Sequence, residues 1–230
     1  MMEAIVLAGG FGTRLREMVP DLPKPMAPIA GKPFLEILLS DLARKGFKRV
    51  VLSLGYRAEV IISHFGKQFA GLDIAYAVED TPLGTGGAVR LGLSRCLSDH
   101  AFVFNGDTFL DLEARAVESL WQKHRNPIIV ARQVPDVARY GRLLVENERV
   151  RGFTEKGVNG PGLINAGCYV LGKDQLDEWP LNMSFSLEAD YFTRVVNMKP
   201  VDVFKMQGLF IDIGVPEDYL RAQMLLAEKI

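Results

Sequence analysis

The first residues whose types and spacing suggest chemistry lie close to the N-terminus. The apolar run EAIVLA, typical of a buried strand, leads directly into a segment that holds three glycines, Gly9, Gly10 and Gly12. Glycines at the end of a strand let the backbone approach a ligand, and their N–H groups can converge on an anion. Arg14 and Lys24 follow, and prolines on both sides of Lys24 fix its direction. A guanidinium and an ammonium beside such a backbone suit a polyphosphate, whereas a tight turn with solvated cations is the alternative.

This glycine-rich segment fits neither of two common nucleotide-binding motifs. A P-loop requires Lys followed by Ser or Thr at a fixed distance from its glycines, and the sequence lacks that pair here. A dinucleotide fingerprint that starts at Gly10 needs its third glycine at the position of Leu15. The segment therefore argues against a P-loop protein and against an NAD-dependent dehydrogenase.

Two isolated aspartates stand at the ends of apolar runs. Asp107 follows the strand-like run AFVFN, and Asp212 lies within FIDIG. Burial of a lone carboxylate is costly, so we expect Asp107 to face a cleft. A carboxylate at the edge of a sheet suits Mg²⁺, which combines few protein oxygens with phosphate oxygens. For both residues the alternative is a capping role in a turn or at the start of a helix.

The composition places these segments in a globular protein. The chain has 230 residues, a formal net charge of −1 and 48% hydrophobic residues. High apolar content with almost no net charge excludes intrinsic disorder, and the lack of basic excess disfavours nonspecific binding of nucleic acid. Cys96 and Cys168 are too few for a disulfide framework and are typical of a reducing compartment.

The N-terminus has no pattern of a targeting segment. Residues 1–8 carry an acid, Glu3, and only a short apolar run, whereas a signal peptide needs a basic start and a longer one. The longest apolar runs are far shorter than the roughly 20 residues of a membrane helix. We therefore expect a cytoplasmic protein without a membrane or nucleic-acid partner.

Strand-like and helix-like segments alternate through the first half of the chain. The predicted strands are 3–8, 49–54, 73–78, 101–105 and 128–132, and the predicted helices are 33–46, 57–70, 87–96 and 112–124. Such alternation is typical of βαβ units with helices on both faces of a sheet. Three close strand-like segments at 142–146, 150–154 and 163–171 predict an antiparallel insertion. The predicted fold class is therefore α/β, a Rossmann-like three-layer sandwich with a mainly parallel central sheet and a small antiparallel β insertion.

Two further signals predict helix starts in the second half. Ser186 is a typical N-cap residue, and Pro216 suits the first position of a C-terminal helix.

The segment LAGGFGTRL, followed by PKP at 23–25, closely resembles the signature of the sugar-1-phosphate nucleotidylyltransferases in residues and spacing. The resemblance extends from Ile5 to about Tyr219. One departure lies between the two blocks, where Glu17-Met18-Val19 replaces the usual Pro-Leu-Thr. It touches the connecting segment and leaves the expected phosphate ligands in place.

The resemblance implies transfer of a nucleotidyl group from an NTP to a sugar 1-phosphate, with Mg²⁺ as cofactor. Arg14 would stabilise the leaving pyrophosphate, Lys24 the α-phosphate, and Lys156 would place the sugar phosphate. Asp107 and Asp212 would hold the metal. A second glycine-rich segment, PLGTGGA at 82–88, would form a wall of the base pocket, although a plain strand-to-helix connection is the alternative. The implied nucleotide-binding residues are Leu7, Ala8, Gly9, Gly10, Gly12, Thr13, Gly84, Thr85 and Gly86.

The same resemblance implies a sugar pocket built largely by the second half. Its residues are Asn105, Gly141, Glu155, Asn165 and Ala166. Glu155 would accept hydrogen bonds from sugar hydroxyls, whereas an exposed ion pair is the alternative for Glu155 and Lys156. Gly157 stands where the family often has proline, so this loop departs from the family pattern. A single domain, 1–230, would thus have a mainly nucleotide-binding half, 1–132, and a mainly sugar-phosphate-binding half, 133–230.

Three stretches, 21–36, 184–192 and 210–219, most resemble family members that use GTP and D-glycero-D-manno-heptose 1-phosphate. Enzymes that transfer UMP to N-acetylmuramate 1-phosphate, and others that act on glucose 1-phosphate, are the alternatives within the family. A catalytically silent relative that binds sugar nucleotides and regulates a partner is the alternative of another class. The residues leave the oligomeric state open, a homo-oligomer included.

Overall fold

The computed structural model describes residues 1–10, 12, 15, 18–20 and 22–229. Its strands are β1 (Glu3–Leu7), β2 (Pro28–Ile29), β3 (Lys32–Pro33), β4 (Arg49–Leu54), β5 (Gln68–Phe69), β6 (Leu72–Val78), β7 (His100–Asn105), β8 (Thr108–Leu110), β9 (Ile128–Val134), β10 (Leu143–Glu146), β11 (Arg149–Phe153), β12 (Gly162–Gly172), β13 (Asp202–Met206) and β14 (Phe210–Asp212). The α-helices are α1 (Phe34–Arg44), α2 (Ala58–Phe65), α3 (Gly84–Ser94), α4 (Ala114–His124), α5 (Thr193–Val195) and α6 (Pro216–Leu225). A π-helical segment, Leu187–Phe192, precedes α5, and 3-10 turns lie at Lys24–Met26 and Ala227–Lys229.

Ten strands form one mixed sheet in the order β10-β11-β13-β9-β12-β7-β1-β4-β6-β5. The neighbours β7, β1, β4 and β6 are parallel, so their carboxyl ends meet at one edge. β12 runs antiparallel to both β7 and β9, and β13 runs parallel to β9. The small pairs β8–β14 and β2–β3 are antiparallel.

Helices cover both faces of this sheet. One apolar cluster joins the sheet to α1, α2, α4 and α6, and a second joins it to α3, the π-helical segment and α5. Along β1 the side chains alternate between the two clusters, with Val6 in the first and Ile5 in the second. Cys96 and Cys168 are both free thiols buried in these clusters. The predicted three-layer α/β fold is confirmed.

The antiparallel strands are part of the main sheet, and β12 lies at its centre instead of in an insertion beside it. Its residues from Ala166 to the end of the strand are buried without alternation. A strand that is apolar on both faces is stable inside a sheet covered on both sides, which explains its position between β9 and β7. β10 and β11 extend the sheet at its edge.

Several helix ends differ from the sequence prediction. α2 ends at Phe65, since Gly66 has a positive φ of 59°, and residues 68–69 pair with β6 instead. α3 begins at Gly84, so the second glycine-rich segment forms its first turn.

Ser186 is an N-cap as predicted, with its Oγ accepting from Ala189 N at 3.0 Å, although the capped segment is π-helical. Pro216 opens α6 as predicted. In the described part of the chain, every helix is too short or too polar to cross a bilayer.

Candidate active site

A cleft of about 640 Å³ opens at the carboxyl edge of the parallel strands. Four neighbouring strand ends contribute to it, through Leu7 of β1, Ser53 of β4, Glu79 directly after β6 and Asn105 of β7. Ligands of open α/β sheets bind at this edge, and the volume is typical of a small-molecule site. The topology therefore selects this cleft as the candidate site.

Most of the predicted nucleotide-binding residues line the cleft. They are Leu7, Ala8, Gly9, Gly10, Gly12, Gly84 and Thr85. Gly86 is instead buried in the first turn of α3, where its N–H donates to the carbonyl oxygen of Phe185 at 2.9 Å. Thr13 and Arg14 lie outside the described residues, so their roles stay predictions.

Glu79 is a cleft residue that the sequence reasoning missed. A Cβ at Gly9 would lie 2.7 Å from Oε1 of Glu79, so the glycine leaves room for this carboxyl group. Oε2 accepts a hydrogen bond from Leu83 N at 2.9 Å. Burial raises the pKa of Glu79, and the Leu83 N–H acts in the opposite direction. The available signal was its position directly after a predicted strand, like that of Asp107.

The hydroxyl of Thr85 is already engaged. It donates to Oε2 of Glu188 at 2.7 Å and accepts from Leu187 N at 2.9 Å. Its single donor therefore serves the protein, and the predicted contact between Thr85 and the nucleotide would need another atom. Gly84, beside it, has a φ of +67° and packs against the backbone of Phe185.

The predicted metal ligands, Asp107 and Asp212, come together through the β8–β14 pair. Thr108 stands opposite Asp212 in this pair, and Ile213 N donates to the carbonyl oxygen of Asp107 at 2.9 Å. Burial raises the pKa of Asp212, and the negative charge of Asp107 raises it further. A cation between the two carboxylates would relieve this repulsion.

The donor set fits a divalent cation such as Mg²⁺. Mg²⁺ keeps several waters and takes one or two carboxylates together with substrate phosphates. Within the described residues, no group of three or more His, Cys, Asp or Glu side chains is placed to enclose a metal. The remaining ligands would therefore come from substrate and water.

Lys24 lies between the glycine-rich segment and these carboxylates. Its Nζ forms an ion pair with Oδ2 of Asp107, and its side chain is only 11% exposed. The 3-10 turn Lys24–Met26, which begins after Pro23, holds it in the wall of the cleft. The charge of Lys24 lowers the pKa of Asp212, against the effect of burial. The ammonium is thus held where it can meet a phosphate.

The predicted sugar-phosphate residues of the second half lie outside the described cleft lining. Gly141 and Glu155 are close neighbours, because a Cβ on Gly141 would lie 3.7 Å from the carbonyl oxygen of Glu155. Glu155 and Lys156 are exposed on the loop after β11. Gly157 N donates to the carbonyl oxygen of Ala138 at 2.8 Å, which ties this loop to the segment before β10.

The other predicted sugar residues lie at or beside the bulge in β12, where the pairing with β9 shifts register between Asn165 and Tyr169. Asn105 lines the cleft. Asn165 uses its side chain within the protein, donating from Nδ2 to the Tyr169 hydroxyl at 2.7 Å and accepting at Oδ1 from Gly167 N at 2.9 Å. Ala166 is fully buried and presents no surface to the cleft.

Arg139 is a second residue that the sequence reasoning missed. Its Nη1 lies 2.6 Å from Oδ2 of Asp218, and its Nη2 lies 3.9 Å from Oδ2 of Asp212. The guanidinium also lies 5.3 Å from the ring centre of Tyr140. The preceding residue, Ala138, accepts the hydrogen bond from the loop of Lys156, so Arg139 lies between this loop and Asp212. Its position two residues before the predicted sugar residue Gly141 was the available signal.

Comparisons with known proteins show the family to which the chain belongs. The family model described as "Nucleotidyl transferase" matches residues 3–229. The chain is 37% identical over 233 residues to D-glycero-alpha-D-manno-heptose 1-phosphate guanylyltransferase of Aneurinibacillus thermoaerophilus, with both chains fully covered. It is 41% identical over 219 residues to the protein of the same name from Campylobacter jejuni, covering 95% of this chain and 97% of the relative.

The chain is also similar to a solved structure over nearly its whole length. The crystal structure of HddC from Yersinia pseudotuberculosis complexed with GMP-PN has a TM-score of 0.87 and 36% identity, covering 98% of this chain and 100% of that one. The resemblance seen in the glycine-rich segment and the PKP block is thereby confirmed over the full length. Since the family match and the relatives both span nearly the entire chain, this protein belongs to the nucleotidyl transferase family.

Proposed function

We propose that this protein transfers GMP from GTP to D-glycero-α-D-manno-heptose 1-phosphate and releases pyrophosphate. Two relatives that match over nearly their full length carry this activity in their names. HddC, similar in fold and 36% identical, was crystallised with GMP-PN. These likenesses support the choice of both substrates.

The observation that carries the choice of base is the Glu79 carboxyl group in the cleft wall. Guanine presents two adjacent donors, N1–H and N2–H, on one edge, and a carboxylate accepts from both. The other bases each place an acceptor on the corresponding edge and would leave a carboxylate facing a lone pair. A carboxylate at the base end of the cleft therefore favours GTP. One oxygen of Glu79 is held by Leu83 N, which fixes the direction of the group.

The triphosphate would lie along the first glycine-rich segment. Backbone N–H groups at Gly9 to Gly12 would face its oxygens, and Lys24 would stabilise charge on the α-phosphate. Arg14 would stabilise the departing pyrophosphate. Members of the family typically use a divalent metal, and we assign Mg²⁺ to Asp107 and Asp212, where it would supply positive charge to the reacting phosphates.

The reaction is an in-line displacement. An oxygen of the sugar phosphate attacks the α-phosphorus, a new P–O bond forms, and the bond to the β-phosphate breaks with its electron pair leaving on pyrophosphate. The attacking oxygen is already anionic, so these residues need only hold the two substrates in line and neutralise charge. The acceptor would enter on the side of Asp212, where Arg139 and the loop of Lys156 supply cations. Residues 1–132 would bind mainly the nucleotide and 133–230 mainly the sugar phosphate.

Pyrophosphate release with Mg²⁺ tests this function. Four NTPs are crossed with the 1-phosphates of D-glycero-D-manno-heptose, mannose, glucose and N-acetylmuramate. We expect the highest kcat/KM with GTP and heptose 1-phosphate. Preferred turnover of UTP with N-acetylmuramate 1-phosphate would overturn the substrate assignment, and no turnover with any pair despite GTP binding would favour the silent regulatory relative.

A further inference from the structure

Glu188 collects hydrogen bonds from several parts of the fold. Its Oε2 accepts from the Thr85 hydroxyl at 2.7 Å and the Ser186 hydroxyl at 3.2 Å, and its Oε1 accepts from the Tyr169 hydroxyl at 2.7 Å. These three donors lie on α3, on the N-cap of the π-helical segment and on β12. Hydrogen bonds to a charged acceptor are stronger than neutral ones, so a half-buried carboxylate at this junction holds the three elements together.

The hydrogen bonds run toward this carboxylate from two directions. On one side Leu187 N donates to Thr85, and Thr85 donates to Glu188. On the other side Asn165 Nδ2 donates to the Tyr169 hydroxyl at 2.7 Å, and Tyr169 donates to Glu188. The hydroxyls of Thr85 and Tyr169 each accept one hydrogen bond and donate their proton to Glu188. The group between them must therefore accept two hydrogen bonds and donate none.

The two ends of this network of hydrogen bonds lead to two residues of the cleft lining, Thr85 and Asn105. Thr85 lines the cleft on the nucleotide side, in the first turn of α3. At the other end, Oδ1 of Asn165 accepts from Gly167 N at 2.9 Å. Gly167 has a φ of +73°, and a Cβ there would lie 2.5 Å from Nδ2 of Asn105, so its backbone packs directly on this cleft residue.

We propose that Glu188 is a positioning residue that couples Thr85, in the first turn of α3, to Asn105, at the end of β7, both of which line the cleft. Glu188 is outside the described cleft lining and acts through the two hydroxyls and Asn165. It sets the distance between α3 and the bulge of β12 before the substrates arrive, which lowers the cost of orienting them. The inference rests on the proposed function, because GTP and the sugar phosphate are its probes.

Glu188→Gln tests the charge at the junction. Glutamine has the same length, but its amide nitrogen cannot accept a hydrogen bond from a hydroxyl. One of the two hydrogen bonds, from Thr85 or from Tyr169, must therefore break. We expect the KM values for GTP and for heptose 1-phosphate both to rise about tenfold, with kcat changed less. Asp190→Asn is the matched control, since Asp190 lies on the same segment and accepts from Ser186 N at 2.7 Å. Its KM values should stay at wild-type levels.

Tyr169→Phe gives the sharper result. Tyr169 is fully buried and outside the described cleft lining, yet the proposal predicts weaker GTP binding when its hydroxyl is removed. Thr85→Val should likewise raise the KM for the sugar phosphate. In the double variant, Tyr169→Phe with Thr85→Val, the rise in KM should be smaller than the product of the two single rises. Either change alone already breaks the connection through Glu188.

Thermal unfolding of each variant accompanies these measurements. Wild-type KM values in Glu188→Gln, combined with a lower Tm, would overturn the proposal and leave a purely structural role. Strictly multiplicative losses in the double variant would also overturn it. A wild-type protein that binds GTP without turnover would contradict the proposed function alone, and the GTP dissociation constant of Tyr169→Phe, measured by calorimetry, would still decide the coupling.

Discussion

The proposed nucleotide side and the proposed sugar-phosphate side of the candidate site are built from different kinds of structure. The proposed nucleotide side consists of the ends of β1, β4 and β6 and the first turn of α3. The proposed sugar-phosphate side consists mainly of an exposed loop that carries Glu155 and Lys156 and of the half-exposed Arg139. Strand ends are fixed by the core beneath them, whereas an exposed loop has few buried contacts. We therefore expect the nucleotide side to be complete in the free protein and the sugar-phosphate side to become ordered around its substrate.

The two sides meet at the paired aspartates. Asp107 follows β7, a central strand, and Asp212 ends β14, which comes from the last part of the chain. The β8–β14 pair joins them. The comparison thus predicts the largest effects at this junction, intermediate effects on the nucleotide side, and the smallest effects on the exposed loop.

Asp107→Asn should produce the largest loss. The substitution keeps the shape but removes the charge that pairs with Lys24 and that would bind the metal. We expect kcat to fall by about 10²–10³-fold, because charge neutralisation is the main task of such a site. Steady-state kinetics at saturating Mg²⁺ measure this effect. Asp73→Asn, at an exposed aspartate of β6, is the control and should retain wild-type activity. Activity of Asp107→Asn within a few-fold of wild type would remove the metal role.

Glu79→Gln should change base selection more than it changes turnover. An amide places a donor and an acceptor where the carboxylate offers acceptors alone, which suits uracil better than guanine. We expect kcat/KM for GTP to fall by about 10- to 100-fold, which is the effect of losing a contact that makes two hydrogen bonds to a base. The ratio of kcat/KM for UTP to that for GTP should rise. Competition between the two nucleotides measures the ratio directly. An unchanged ratio would show that the base is recognised elsewhere in the cleft.

Lys156→Ala should have the smallest effect. Its exposed ammonium contributes through a screened interaction, so the KM for the sugar 1-phosphate should rise about three- to tenfold, with the KM for GTP unchanged. The difference from wild type should shrink at high ionic strength. A loss as large as that of Asp107→Asn, independent of salt, would mean that this loop closes over the phosphate and that the two sides are equally ordered.

The sequence predicted best what depends on local pattern. The strand before the first glycines, the cap at Ser186 and the start of α6 at Pro216 follow from neighbouring residues alone. The meeting of Asp107 and Asp212 was implied by the family resemblance, since the β8–β14 pair that brings them together joins distant parts of the chain.

What the sequence missed depends on contacts between distant residues. The Thr85 hydroxyl is occupied by Glu188, which is 103 residues away in the chain, and no local pattern reveals such a bond. Likewise, Arg139 gains its significance from Asp212 and Asp218. The central place of β12 depends on which strands flank it, and its apolar run alone fits several positions in a sheet.

Equilibrium binding of nucleotides to the unmodified protein tests the central claim most directly. Titration calorimetry with GTP, ATP, CTP and UTP in Mg²⁺, without any sugar phosphate, measures whether the nucleotide side is complete and selective by itself. We expect GTP to bind at least about tenfold more tightly than the other three, because the site would pair both guanine donors. Equal affinity for all four nucleotides, or binding that appears only after a sugar 1-phosphate is added, would contradict it.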